Sequence, residues 1–277
     1  MNMDLRWKNN LVLWNRMYES NVVVSLADLS VPLDGRIVVK LTETPSPLRE
    51  LRGRIEYFWG AFVQEHPTAY NSSVLATTGI DALSTDSREG ILNAFVADYA
   101  TCIFKNTLIQ QENPQLSDAQ RQFLQQHFLV VGASGYTSIG DEYVLGRRTD
   151  RGPTDRLAGL IQYLPQGLAI VEGNCQNAIE RTMALELKEE TSLDLDADCG
   201  HIFPTHVLVG RLNGDFTIIH KIQLKPDSKE KIAADKTEVE EIMYRTMPEI
   251  KRQLAQENER HLFSPVTASV FQTLSNE

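Results

Sequence analysis

The chain predicts an α+β fold in two parts, and three observations carry that expectation. Strand-like alternation and helix-like spacing occur in both halves, which excludes an all-α or all-β class. The polar stretch 110–115, with Pro114 inside it, divides the chain into a smaller α+β domain over 1–125 and a second domain over 126–277. In the second half two strands, a long loop, a helix, a hairpin and further helices follow one another without internal repeat.

In the first half, residues 22–26 and 36–42 have the look of strands, with Ile37, Val39 and Leu41 alternating against Val38 and Lys40. The turn-rich Pro32-Leu-Asp-Gly35 between them predicts a hairpin. Ser46-Pro47 opens a helix, Ser as N-cap and Pro in the first turn. Leu48, Leu51, Ile55, Trp59 and Phe62 then recur on one side until Pro67, a stripe that belongs to a core. Residues 74–80 form a further strand. From Arg88 to Asn106, Ile91, Phe95, Tyr99 and Ile103 predict a second amphipathic helix. Ser117 with Gln120 predicts a capping box.

In the second half, strands are expected at 128–133 and 142–148, joined around Gly140-Asp141. A long irregular stretch, 149–174, leads to Asn177 and Glu180, which signal a helix running to about Thr191. Strands at 206–212 and 216–224 flank Asn213-Gly214, a two-residue hairpin signal. Helices at 248–256 and 266–274 close the chain.

Composition bounds the function. The net charge of −10 argues against an extended nucleic-acid surface. No apolar run approaches the roughly 18 residues that a membrane span needs, and the N-terminal residues have no apolar signal core. Three cysteines, Cys102, Cys175 and Cys199, without CxxC spacing suit free thiols and a cytoplasmic setting.

The segment Leu185-Glu-Leu-Lys-Glu-Glu-Thr-Ser192 carries the chemistry. On a helix Glu186, Glu189 and Glu190 stand at i, i+3 and i+4, so three carboxylates are directed to one side. Like charges so placed repel by roughly 0.2–0.5 kcal/mol per pair, and a hard divalent cation removes that repulsion. The plainer reading is a solvated acidic face. Arg147, Arg148, Arg151 and Arg156 supply guanidinium forks suited to phosphate oxygens, or else a hydrated loop with Asp150 and Asp155. His206 and His220 lie in strand-like runs and fit structural roles, and His201 has no metal spacing.

Strand, glycine-bearing loop, acidic helix and hairpin, with the glutamates in this spacing, resemble the Nudix hydrolase superfamily. The run Leu185–Leu193 lies on that family's box, Tyr143-Val-Leu-Gly-Arg-Arg148 on its preceding strand, and Leu164-Pro-Gln-Gly167 on its glycine loop. The resemblance covers 126–277. It implies an α/β/α sandwich with a mixed sheet. It also implies Mg²⁺, with Mn²⁺ as a substitute, held by Glu186, Glu189 and Glu190, and substrate contacts from Arg147, Arg148 and Gly167. Catalysis would fall to Glu189, Glu190 and Glu238, with Glu240 and Glu241 as alternative general bases. Four departures stand out: Leu185 replaces the family's arginine, Ser192 its glycine and Asn177 an upstream glutamate, and Gly167 aligns only with four inserted residues. Arg181, one turn before Leu185, is the candidate to replace the arginine. Trp59 through Tyr70-Asn-Ser72 is loosely similar to a UDP-sugar-hydrolysing subfamily with its own N-terminal domain.

The expected activity is therefore Mg²⁺-dependent cleavage of a pyrophosphate bond in a small nucleotide-linked substrate such as a UDP-sugar. The expected partners exclude nucleic acid and membrane and allow a homodimer. A catalytically impaired nucleotide-binding or regulatory module is the alternative, and an unrelated α+β interaction domain is the third reading.

Overall fold

The computed structural model describes residues 4–31, 36–86, 89–110, 116–149, 158–171, 173–212 and 214–276. Its N-terminal elements are α1 (Asp4–Ser20), β1 (Asn21–Ser25), β2 (Ile37–Leu41), α2 (Ser46–Glu65), β3 (Ser73–Thr77), β4 (Leu83–Asp86), β5 (Glu89–Asp98) and α3 (Tyr99–Gln110). Then follow α4 (Asp118–Gln122), β6 (Leu129–Ile139), β7 (Glu142–Arg148), β8 (Ile161–Tyr163), β9 (Gln166–Leu168) and α5 (Ala178–Thr191). The chain closes with α6 (Leu195–Asp198), β10 (Cys199–Gly210), β11 (Asp215–Leu224), β12 (Val239–Thr246), α7 (Met247–Ala255), α8 (Glu257–Arg260) and α9 (Pro265–Leu274).

One mixed sheet runs through these elements in the order β1-β10-β11-β6-β3-β5-β2, with β12-β7-β8 branching from β6 and β9 lying along it. The pairs β11–β6 and β2–β5 are parallel and the other ladders antiparallel. Strand alternation sorts the core into layers. Val131 and Ala133 of β6, with Phe216 and Ile218 of β11, pack with Ile179, Met183 and Leu187 of α5. Tyr136 and Ile219 belong to a second cluster with Trp14 of α1, Ile250 of α7 and Phe271 of α9. The central strands are thus covered by helices on both faces, as a sandwich requires. A third cluster joins Leu51 and Ile55 of α2 and Phe104 of α3 to Val74 and Phe95.

Hydrogen bonding crosses residue 125 at one edge of the sheet and again in its middle. β1 pairs with β10, β3 pairs with β6, and Leu75 N–H donates to Ala169 O at 2.9 Å. The 111–115 part of the expected boundary lies outside the described residues, as do Pro32–Gly35 and Asn213.

Several expectations need correction. The strands β1 and β2 do not form a hairpin: β1 joins β10 and β2 joins β5. Alternation marks a strand but carries no information about its partner. The helix expected from Arg88 is a strand as far as Asp98 and a helix only from Tyr99. Large residues four apart suggested the helical period. The burial of Gly90, Leu92 and Ala94, each two apart, reveals the strand, which pairs with β2, β3 and β4. Ser46 is the first helical residue rather than the cap, which is Pro45, and its hydroxyl donates to Glu50 at 3.0 Å. α1 was not expected at all. The capping box at Ser117 and Gln120 is present, and the β6–β7 turn uses Gly140 at φ 57. β11 and the two closing helices start and end within a residue of their expected bounds, whereas β10 begins at Cys199 rather than at the expected His206.

Candidate functional site

α5 presents its acids unequally. Residues advance by about 100° around a helix, so i and i+4 differ by about 40° while i+3 falls about 60° the other way. Ile179, Met183, Leu187 and Glu190 share the buried side; Glu186 lies at its edge, half-buried; Glu189 points to solvent. The expected convergence of three helix carboxylates is therefore a convergence of two.

The third acid comes from elsewhere. Glu238 stands just before β12, whose antiparallel ladder sets Val239 opposite Arg148 at the end of β7. Its carbonyl accepts from Thr149 N–H at 3.0 Å, which pins it there. Ligand oxygens of Glu186, Glu190 and Glu238 lie within 4.8 Å of one another. Glu240 is exposed, and Glu241 is paired with Arg147 at 3.3 Å.

Glu190 is 1% exposed, and both its oxygens are held. One accepts from Gln162 Nε2 at 3.3 Å, the other from Gln166 N–H at 3.1 Å. Burial holds its carboxyl well above the usual range, and the charges of Glu186 and Glu238 push it the same way. The Gln166 N–H and the Arg148 guanidinium pull against that rise. Gly167 shapes the floor: a Cβ there would lie 1.9 Å from Glu186 Oε1 and 2.4 Å from its Cγ. A glycine is what lets Glu186 lie flat against β9.

The two arginines of β7 diverge, as adjacent strand residues must. Arg148 acts on Glu190, and it also lowers the Tyr99 phenol at the start of α3 against the burial that raises it. Arg147 is engaged with Glu241 and, through Nη1, with the Gly159 carbonyl at 3.2 Å. Arg151 and Arg156 lie outside the described residues. Arg181 does not replace a missing partner of the glutamates. Its guanidinium donates to the Ile170 carbonyl at 3.1 Å and the Asn174 carbonyl at 3.5 Å, tying down the loop before α5. Leu185 is 48% exposed. Ser192 ends the helix at φ 63, a left-handed cap that glycine adopts more readily, and its hydroxyl donates to Ala233 O at 3.3 Å.

His220 is buried at Ser134 O, 3.3 Å away, and burial lowers its imidazole to about 4, so it is a neutral structural group. The residue that sequence reasoning passed over is Gln162. Its signal was there: one amide inside the apolar run Leu160-Ile-Gln-Tyr-Leu164, all of it buried.

Three hard oxygen donors from two elements, with excess negative charge among them, are the donor set that Mg²⁺ or Mn²⁺ takes. The residues present fit such an ion.

No protein-family model matches the chain, and no curated protein does. Solved structures share parts of it. DR0079 from Deinococcus radiodurans is 12% identical over 59% of this chain and 88% of its own, with a TM-score of 0.41. The Bacillus subtilis pyrophosphohydrolase BsRppH is 16% identical over 59% and 83%, at 0.36. A bifunctional NMN adenylyltransferase/ADP ribose pyrophosphatase from Francisella tularensis, complexed with AMP and a manganese ion, is 16% identical over 63% and 46%, at 0.37. All three scores lie below 0.5, so the functional reading rests on this chain's own geometry. No described helix is long and apolar enough to cross a membrane.

Proposed function

We propose that the protein is a Nudix-type hydrolase that cleaves the pyrophosphate bond of a nucleoside diphosphate linked to another moiety. The observation that carries this reading is the meeting of Glu186, Glu190 and Glu238 within 4.8 Å. In this proposal those three hold one divalent ion, Mg²⁺ or Mn²⁺. Glu189 has no ligand role, and Glu238 serves as a ligand rather than as a free general base. Once bound, such an ion neutralises charge on phosphoryl oxygens and lowers the pKa of coordinated water.

The remaining work falls to the chain itself. Gln166 N–H and Gln162 keep Glu190 aimed, so the site is not reorganised when substrate arrives. Arg148, beside the acids, offsets the diphosphate charge in an otherwise acidic protein. Arg147 is less suited, because docking phosphate would require it to leave Glu241. Gly167 acts by admitting Glu186 rather than by touching substrate. UDP-sugars head the candidates on the Trp59…Tyr70-Asn-Ser72 pattern.

The test is a panel of nucleoside diphosphate sugars, ADP-ribose, dinucleotides and nucleoside triphosphates with Mg²⁺ or Mn²⁺. Wild type should release nucleoside monophosphate from at least one of them, and Glu190→Gln should lower that rate by at least about 100-fold. Equal rates in the two proteins would refute the site. Saturable nucleotide binding without hydrolysis would favour the binding-module alternative, which Leu185 and Ser192 motivate.

A further inference from the structure

We infer that Gln162 is the residue that positions Glu190 for the cation, a role that deepens, and rests on, the metal-hydrolase reading above. Gln162 is 2% exposed on β8, between Ile161 and Tyr163, which are buried as well. A buried amide without a partner costs roughly 1–3 kcal/mol, so a glutamine in this place needs a reason. That reason is Glu190, whose Oε1 accepts the Nε2 proton at 3.3 Å.

Glutamate carries three rotatable side-chain bonds, and one donor leaves it free to pivot. Two donors from different elements do not. Gln166 N–H, on β9, fixes Oε2, and Gln162, on β8, fixes Oε1. The carboxylate plane is set between them, with a second lone pair on each oxygen left over. Both donors are uncharged, so neither competes with a cation for the Glu190 oxygens. An ammonium or guanidinium in the same place would compete with the ion it was meant to help. The helix supplies no substitute: Leu185 is exposed and Arg181 is committed to loop carbonyls. Gln162 is therefore a positioning residue and touches no reacting atom.

Mn²⁺ binding to the full chain, followed by the loss of the free-ion electron paramagnetic resonance signal, reads this role without turnover. Gln162→Met keeps the volume and removes the donor. Gln162→Asn keeps the amide but withdraws it by one methylene. Both should weaken Mn²⁺ binding by about 10–100-fold, the range for residues that orient metal ligands. Thr205→Val is the control. It removes a comparable buried hydrogen bond, from Thr205 on β10 to Ile219 O on β11 at 3.2 Å, and should leave Mn²⁺ affinity within about twofold. Where a substrate is known, kcat should fall with little change in KM. Wild-type affinity in both Gln162 variants would overturn this inference and leave the metal site standing. Equal weakening in the Thr205 control would reduce Gln162 to general stability. Failure of wild type to bind Mn²⁺ would remove the metal-site reading and this one with it.

Discussion

Replacing Gly167 by alanine separates the metal site from the fold. Gly167 is not in the left-handed region, so alanine is compatible with its backbone. The obstacle is Glu186, whose Oε1 lies 1.9 Å from the position of the new methyl. Ordinary contact begins near 3.4 Å, so that oxygen must retreat by about 1.5 Å. Metal–oxygen distances tolerate only about 0.2 Å. Glu186 therefore leaves the ligand set, although its half-exposed side chain has solvent to turn into. We expect the Mn²⁺ dissociation constant to rise about 100-fold, equivalent to about 2.7 kcal/mol. Without metal the protein should change little. A new rotamer costs about 0.5–1.5 kcal/mol, while the stiffer unfolded chain gains about 0.4–1 kcal/mol. Movement of Glu186 also relieves its repulsion of Glu190. The assay is Mn²⁺ titration by electron paramagnetic resonance, beside calorimetry with and without the ion. A folded Gly167→Ala protein that binds Mn²⁺ as wild type does would refute the placement of Glu186 as a ligand.

Three other outcomes follow from the same geometry. Leu185→Arg should change Mn²⁺ affinity and turnover by less than about threefold, because the side chain is exposed and Glu190 is already held; a tenfold rise in either would contradict this. His220→Gln should flatten the acid limb of stability. The folded imidazole at about 4 lies below its usual value of 6.5, so its contribution is complete above about pH 6.5 and is lost as pH falls toward 4, on the order of 3 kcal/mol. Urea unfolding at pH 7, 5 and 4 measures it, and a pH-independent gap between variant and wild type would count against it. Gly135→Ala places a Cβ 2.5 Å from Ile222 Cδ1 and 2.9 Å from Met183 Cε under α5. Overpacking there should cost about 1–3 kcal/mol by urea unfolding, and a neutral result would mean that α5 sits less tightly than described.

Much of this was legible in the residues, for reasons that differ by element. The Ser117 cap and the β10–β11 hairpin are local, set by capping and turn chemistry within a few positions, whereas Asn177 starts α5 with no side-chain cap hydrogen bond. Strand partners are not local. The patterns of β1 and β2 could not reveal that their partners lie in β10 and in β5. Among the acids, helical spacing found Glu186 and Glu190 but also promoted Glu189, because i+3 and i+4 fall on opposite sides of i. Glu238 was visible as one of three acids within Glu238-Val-Glu-Glu241, and only its place beside the end of β7, near Glu186 and Glu190, decided among them. Gln162 was visible as the one amide in an apolar run, but its partner, 28 residues away on another element, required three-dimensional information.

The indole of Trp14 donates to the carbonyl of Phe263 at 2.8 Å, across 249 residues of sequence. Translation at about 5–20 residues per second puts roughly 12–50 s between the emergence of these two groups. Through that interval the Trp14 indole lacks its acceptor, and for the greater part of it the β1 edge awaits β10. High contact order of this kind slows folding and exposes apolar surface meanwhile. The first segment of the chain is therefore among the last to be secured, and the time before the closing helix arrives is when the protein most needs a chaperone.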